Sequence, residues 1–149
     1  ELLPPGATAY IGTQQTPAHA HVSLAHARGV QRLVTEGVVA SRAVVAAEDH
    51  LPELVVHADP QLYAELRRRA LAPLEKLGVS KRHVALTTLA AWLDAAGDRA
   101  ATAEALQVHP QTVSYRMGQL EPYIGPALRD TRRRFALHLA LYGEGSGAP

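Results

Sequence analysis

The sequence predicts a mostly α-helical protein, α+β overall, in which a small α/β piece precedes an all-helical one. Three observations carry this expectation. Short apolar runs, "ATAYIG" (Ala7 to Gly12) and "RAVVAA" (Arg42 to Ala47), offer two strands early in the chain. Apolar residues elsewhere recur at three- and four-residue spacing. Proline and glycine punctuate those stretches at the starts and stops that helices use.

Taken in order, the first strand ends at Gly12. Thr16 is a candidate N-cap with Pro17 at the first helical position, and Val22, Ala25, Gly29, Val30 and Leu33 then follow at helical spacing to a stop at Gly37. After the second strand, Leu51 to His57 reads as a short helix or irregular segment. Asp59-Pro60 opens another helix by the same cap-then-proline logic, carrying Leu62, Leu66, Leu71 and Leu74 with a break near Pro73. From Gly78 onward there is no strand candidate. "HVALTTLAAWLDAAG" (His83 to Gly97) places Leu86, Leu89, Ala90 and Leu93 on one side and stops at glycine. Asp98 caps a helix from Arg99 to Gln107, and Pro110 begins a third that runs to Glu121, where Pro122 should end it. A last helix is expected from Pro126, and "GEGSGAP" reads as a flexible tail. These elements suggest an α/β piece over residues 1–77, a helical domain over 78–142 and a tail over 143–149.

A chain that is 47% hydrophobic and 19% charged is a folded globular one rather than a disordered one. No apolar run is long enough to span a bilayer, and no signal peptide is visible, so no membrane partner is expected. Cysteine is absent, which excludes disulfides and thiolate metal sites and fits a cytoplasmic location. Net charge is +1, with 7 Lys/Arg against 8 Asp/Glu in residues 1–77 and 8 against 6 in 78–149. Any nucleic-acid binding must come from local placement of charge. His19, His21 and His26 lie close in sequence, but on a helix His21 points away from the other two, so no metal is expected there. No nucleophile elbow, phosphate-binding glycine loop or paired-carboxylate motif occurs. The chain reads as a non-enzyme without a cofactor.

The stretch "LQVHPQTVSYRMGQL" (Leu106 to Leu120) is the informative one. Ala103 supplies the small residue that two crossing helices need, Leu106 and Val108 bracket a turn, and Val113, Met117 and Leu120 form one inward stripe. His109, Gln111, Thr112, Ser114, Tyr115 and Gln119 then lie on or beside the outward face. In a helix-turn-helix the start of the second helix enters the major groove. Gln can bond two edge atoms of adenine, Ser and Thr suit base or phosphate, and Arg116 offers a fork for phosphate. His109 reads first as a capping residue of the turn, and Tyr115 and Arg116 each have a structural alternative. Arg99, Arg129, Arg132 and Arg133 are further candidate phosphate contacts. The cluster "RDTRRR" (Arg129 to Arg134) has a solvated face as its bland alternative.

"VHPQTVSYRM" (Val108 to Met117) resembles the C-terminal signature of the PucR/CdaR family of bacterial transcription regulators, typically V-H-R-N-T-V-R-Y-R-L. The chain shares Val108, His109, Thr112, Val113, Tyr115 and Arg116 with it, together with "TLAAWLDAAGD" upstream and "RRFALHLAL" downstream. Pro110 and Ser114 stand where the family often has arginine, and Gln111 where it has asparagine. Residues 7–77 more weakly resemble the end of the degenerate GGDEF-like domain that precedes this module. The resemblance implies a C-terminal fragment of a longer regulator that binds double-stranded DNA through a recognition helix at about 110–121. "FALHLALY" (Phe135 to Tyr142) is apolar almost all round, which fits deep burial or a subunit contact, so a homodimer is expected, with an unidentified small-molecule effector as a further expected partner. Two rival readings stand beside the regulator: a protein-interaction or dimerisation module that does not touch DNA, and a small-molecule sensor fragment.

Overall fold

The computed structural model describes residue 4 and residues 6–142; the expected tail at 143–149 lies outside the described residues. The chain is mostly helical, with one two-stranded sheet near its start. It divides into two compact units, the first running to Asp59 and the second beginning at Pro60.

In the first unit, β1 (Ala9–Ile11), α1 (Ala20–Thr35) and β2 (Val44–Ala46) form a strand–helix–strand unit, followed by α2 (Leu51–Val56). The strands are parallel, pairing Ala9 with Val44, Tyr10 with Val45 and Ile11 with Ala46. A parallel pair needs a crossover of a dozen residues or more, which α1 supplies. Thr16 and Pro17 do begin the helical stretch, through a single 3-10 turn over Pro17–His19. Gly12 allows α1 to approach: a Cβ there would lie 2.0 Å from the Ser23 carbonyl oxygen. Gly37 ends α1 at φ +74°, in the left-handed region where side chains are disfavoured. Its N–H donates to the Val34 carbonyl and that of Val38 to Leu33, the paired bonds of a Schellman stop. Val30, Leu33, Val39, Val45 and Ala47 form the buried core, against which Tyr10 and Leu54 pack. His26 is tied through Nδ1 to the Thr13 hydroxyl at 2.8 Å, and His19 to that of Thr16 at 3.0 Å.

The second unit contains α3 (Pro60–Leu71), α4 (Val79–Asp94), α5 (Arg99–Ala105), α6 (Pro110–Arg129) and α7 (Thr131–Leu141), with a 3-10 stretch at Ala72–Lys76 around Pro73. Leu71, Leu74, Leu89, Leu93, Ile124 and Leu137 are central to its core. The boundary expected after residue 77 falls inside this unit, because α3 packs along α7. Arg67 Nη1 donates to the Ala140 carbonyl at 2.9 Å, and the Tyr63 hydroxyl to that of Tyr142 at 3.1 Å. Leu62, expected on the inward side of α3, is 66% exposed.

Helix α6 departs most from expectation. It does not stop at Glu121 but continues through Pro122 and Pro126 to Arg129, and the last helix begins at Thr131 rather than Pro126. Each proline removes the N–H that would bond the carbonyl four residues earlier. Both rings are exposed, as is Gly118, so the carbonyls of Gly118 and Pro122 lose helical donors on a side open to water. On the opposite side Val113, Met117, Leu120, Ile124 and Ala127 form one apolar stripe that crosses Pro122 without a gap. Burial of that stripe outweighs the two missing hydrogen bonds. Asp130 then accepts from the Arg133 N–H at 2.8 Å and caps α7. Its carboxylate offsets the arginines that follow, which otherwise oppose the helix dipole.

Candidate nucleic-acid interface

The second unit builds its outward polar face from the caps inward. Asp98 accepts from the Ala101 N–H at 2.8 Å and starts α5. Ala103 is buried at the crossing with α6, so the two helices approach over a methyl group. The turn between them is another Schellman stop. The Gln107 N–H bonds the Glu104 carbonyl at 3.0 Å and that of Val108 bonds Ala103 at 2.9 Å. Gln107 itself occupies the left-handed region at φ +52°, a place that favours glycine. His109 is the N-cap of α6: its Nδ1 accepts from the Gln111 N–H at 3.2 Å, so the ring carries its proton on Nε2. Val113 and Leu120 are buried and Met117 packs against the core, as the spacing predicts.

Gln111, Ser114, Tyr115 and Gln119 are exposed, while Thr112 is half-buried. At about 100° per residue, Gln111, Tyr115 and Gln119 share one stripe along α6, with Ser114 on one flank and Thr112 and Arg116 on the other. Internal bonds hold several of these groups. Gln119 Nε2 donates to the Tyr115 hydroxyl at 2.7 Å, fixing one turn of side chains and leaving the Gln119 carbonyl and the Tyr115 O–H to meet other groups. Ser114 Oγ donates to the Pro110 carbonyl at 3.3 Å, and Arg99 Nη1 reaches Ser114 Oγ at 3.4 Å. Arg99 therefore stands on the Ser114 flank. Arg116, on the opposite flank, is half-buried with Nη1 donating to the Thr88 hydroxyl at 3.4 Å, and Thr88 is fully buried. Among the described residues Arg116 pairs with neither Glu104 of α5 nor Glu121 on its own helix. Glu121 instead pairs with Arg129.

Two groups of expected residues thus separate. His109, Gln111, Thr112, Ser114, Tyr115, Arg116, Gln119 and Arg99 gather around the first half of α6. Arg129 lies at its far end, about 27 Å from Gln111 along the helix by the 1.5 Å rise per residue, and Arg132 and Arg133 follow in the first turn of α7. Arg129 is committed to Glu121, while Arg132 and Arg133 are exposed at the start of α7. Thr88, which orients Arg116, was not expected. Its signal was a hydroxyl at a position of α4 otherwise lined with alanine and leucine.

Two helices crossing over a small residue, a tight turn and a second helix with a polar outer face define a helix-turn-helix module. Residues 85–142 match the family model of the PucR C-terminal helix-turn-helix domain, so the similarity read from "VHPQTVSYRM" holds over α5, α6 and α7 and most of α4. No curated protein matches the chain. No helix among the described residues is long and apolar enough to cross a membrane.

Proposed function

We propose that the chain is part of a sequence-specific, non-enzymatic transcription regulator of PucR/CdaR type, and that its second unit binds double-stranded DNA with the first half of α6 in the major groove. One observation carries this reading. The exposed stripe of Gln111, Tyr115 and Gln119 holds neutral hydrogen-bonding groups, with Arg99 on one flank and Arg116 on the other. A major groove presents the same order, base edges in the middle and phosphates at both walls. A face meant only for water needs no such arrangement and is usually laced with Glu and Lys.

Gln111 and Gln119 take the role of base readers, Ser114, Thr112 and Tyr115 of base or backbone contacts, and Arg99 and Arg116 of positioning cations. His109 acts through its cap. Arg129 at the far end of α6 and Arg132 and Arg133 at the start of α7 stand apart from this stripe and are assigned no contact with the same groove segment. The protein would work in the cytoplasm as a homodimer, presenting two such helices about 34 Å apart. The first unit takes the part of a sensory or dimerising piece similar to the end of a GGDEF-like domain. A groove of about 760 Å³ between α1 and α2, walled by Leu51, Leu54, Val55, His26 and Arg28, is roomy enough for an effector molecule.

The test is fluorescence anisotropy with duplexes selected from a random pool, at several salt concentrations. Gln111→Ala should cost about 1–3 kcal/mol on the selected sequence and little on a scrambled one. Equal, salt-insensitive affinity for both duplexes would sink the proposal and favour a protein-binding role for this face.

A further inference from the structure

Beside the reading face lies a second feature that the helix pair alone does not require. A cavity of about 180 Å³ opens between the start of α4 and the middle of α6, walled by Ser80, Lys81, Val84, Arg116, Gln119 and Leu120. Its volume equals several water molecules at about 30 Å³ each, which is room for one tetrahedral oxyanion. Two of its walls are cationic, two are neutral hydrogen-bonding groups, and no carboxylate lines it. Lys81 is exposed and makes no ion pair among the described residues. Arg116 of α6 is held to the buried Thr88 of α4, the helix that carries Lys81, which keeps its guanidinium at this junction instead of leaving it to sweep through solvent.

The position of Gln119 gives the cavity its meaning. This residue belongs both to the cavity wall and, through its 2.7 Å bond to the Tyr115 hydroxyl, to the exposed stripe of α6. DNA seated against Tyr115 would therefore carry one strand's backbone past Lys81 and Arg116. We propose that this α4–α6 cavity is the seat of a single DNA backbone phosphate, with Lys81 as its mobile cation and Arg116 as its fixed one. The proposal rests on the DNA-binding reading above and extends it to α4, a helix outside the turn motif. A lysine suits such a seat as a point charge on a flexible stem, and an arginine locked to Thr88 supplies the direction. Together with Arg99 on the opposite flank, the module would grip both walls of the groove.

The experiment compares the wild-type chain with Lys81→Gln and Lys81→Arg, measuring affinity against salt for the selected and a scrambled duplex. Lys81→Gln should weaken both duplexes alike and lower the magnitude of the salt slope by about one unit. The loss of affinity between 50 and 200 mM salt should shrink by about 4-fold, while Lys81→Arg keeps most of the wild-type slope. A second arm replaces each backbone phosphate in turn by a neutral methylphosphonate. One position should weaken the wild type yet leave Lys81→Gln almost unaffected. Unchanged affinity and slope in Lys81→Gln, with sequence-dependent binding intact, would overturn the seat and leave the regulator reading standing. A wild type that binds neither duplex overturns both. Because Lys81 is exposed, matching thermal melts of the three proteins exclude a folding effect.

Discussion

The two units of this chain solve the same problem, burial of a small apolar core, by opposite means. The first relies on close backbone approach: Gly12 lets the backbone of α1 come close to the end of β1, and three valines, one alanine and a single leucine fill the space left. The second relies on bulk. Leu74, Leu89, Ile124 and Leu137 from the 3-10 stretch and three helices meet in a core where each is almost wholly buried. Close backbone approach tolerates no added atom, whereas a leucine core tolerates no removed one. The difference predicts which substitutions damage which unit.

The largest effect is expected in the leucine core. Leu89→Ala should destabilise the second unit by about 2–5 kcal/mol, from lost burial plus the cavity left behind. Hydrogen exchange would localise the loss: amides of α4, α6 and α7 should exchange faster while those of α1 keep their protection. If Leu89→Ala proves neutral, the core is looser than the packing implies. Next comes Gly12→Ala, which places a methyl on the Ser23 carbonyl and should cost about 1–3 kcal/mol, read as faster exchange in α1 and β2. Unaltered protection there would mean that the strand and helix separate freely, and the contrast between the units would fail.

Smaller effects sharpen the comparison within the second unit. Asp98→Ala removes the cap of α5 and should cost about 1 kcal/mol, with Asp98→Asn retaining most of the stability in a urea melt. The smallest effect is electrostatic. Glu65 accepts hydrogen bonds from Arg68 and Arg69, which lower its pKa to about 2 from the ordinary value of 4.5. A carboxylate with a depressed folded-state pKa stabilises above its unfolded value and loses that contribution as pH falls towards the folded one. The second unit should therefore show a slight loss between about pH 4.5 and 2 that Glu65→Gln lacks. Because this cluster is exposed to solvent, 0.5 M salt should shrink the effect further. A salt-independent loss would assign the acid sensitivity to another group.

Much of this organisation was legible in the residues because the signals are local. Asp98, His109 and Pro110 mark helix starts by chemistry that acts within three residues, and Val113, Met117 and Leu120 reveal an inward stripe by spacing alone. The strand pair was visible in two short apolar runs, although their parallel pairing is set by the α1 crossover. What was hidden depends on contacts distant in sequence. Pro122 is a helix stop in isolation, and only the packing of Ile124 and Ala127 against the rest of the core carries α6 across it. The assignment of α3 to the helical unit rests on Arg67 and Tyr63 reaching the last residues described, a separation of more than seventy positions. Within the candidate site, the outward face followed from periodicity, while the partner of Arg116 did not, since Thr88 lies 28 residues away.

The continuity of α6 has a mechanical consequence. Its first half carries the exposed polar stripe and its second half is embedded against α7 and the 3-10 stretch, so one continuous helix joins the two. A tilt of about 5° imposed at the embedded end would displace the Gln111 end by about 2 Å, given the roughly 27 Å lever between them. On the DNA-binding reading proposed above, hydrogen bonds to base edges would span only about 2.7–3.2 Å, so that displacement would be enough to break register with a duplex. Small rearrangements around Ile124 and Leu137 would then be magnified where α6 meets the groove.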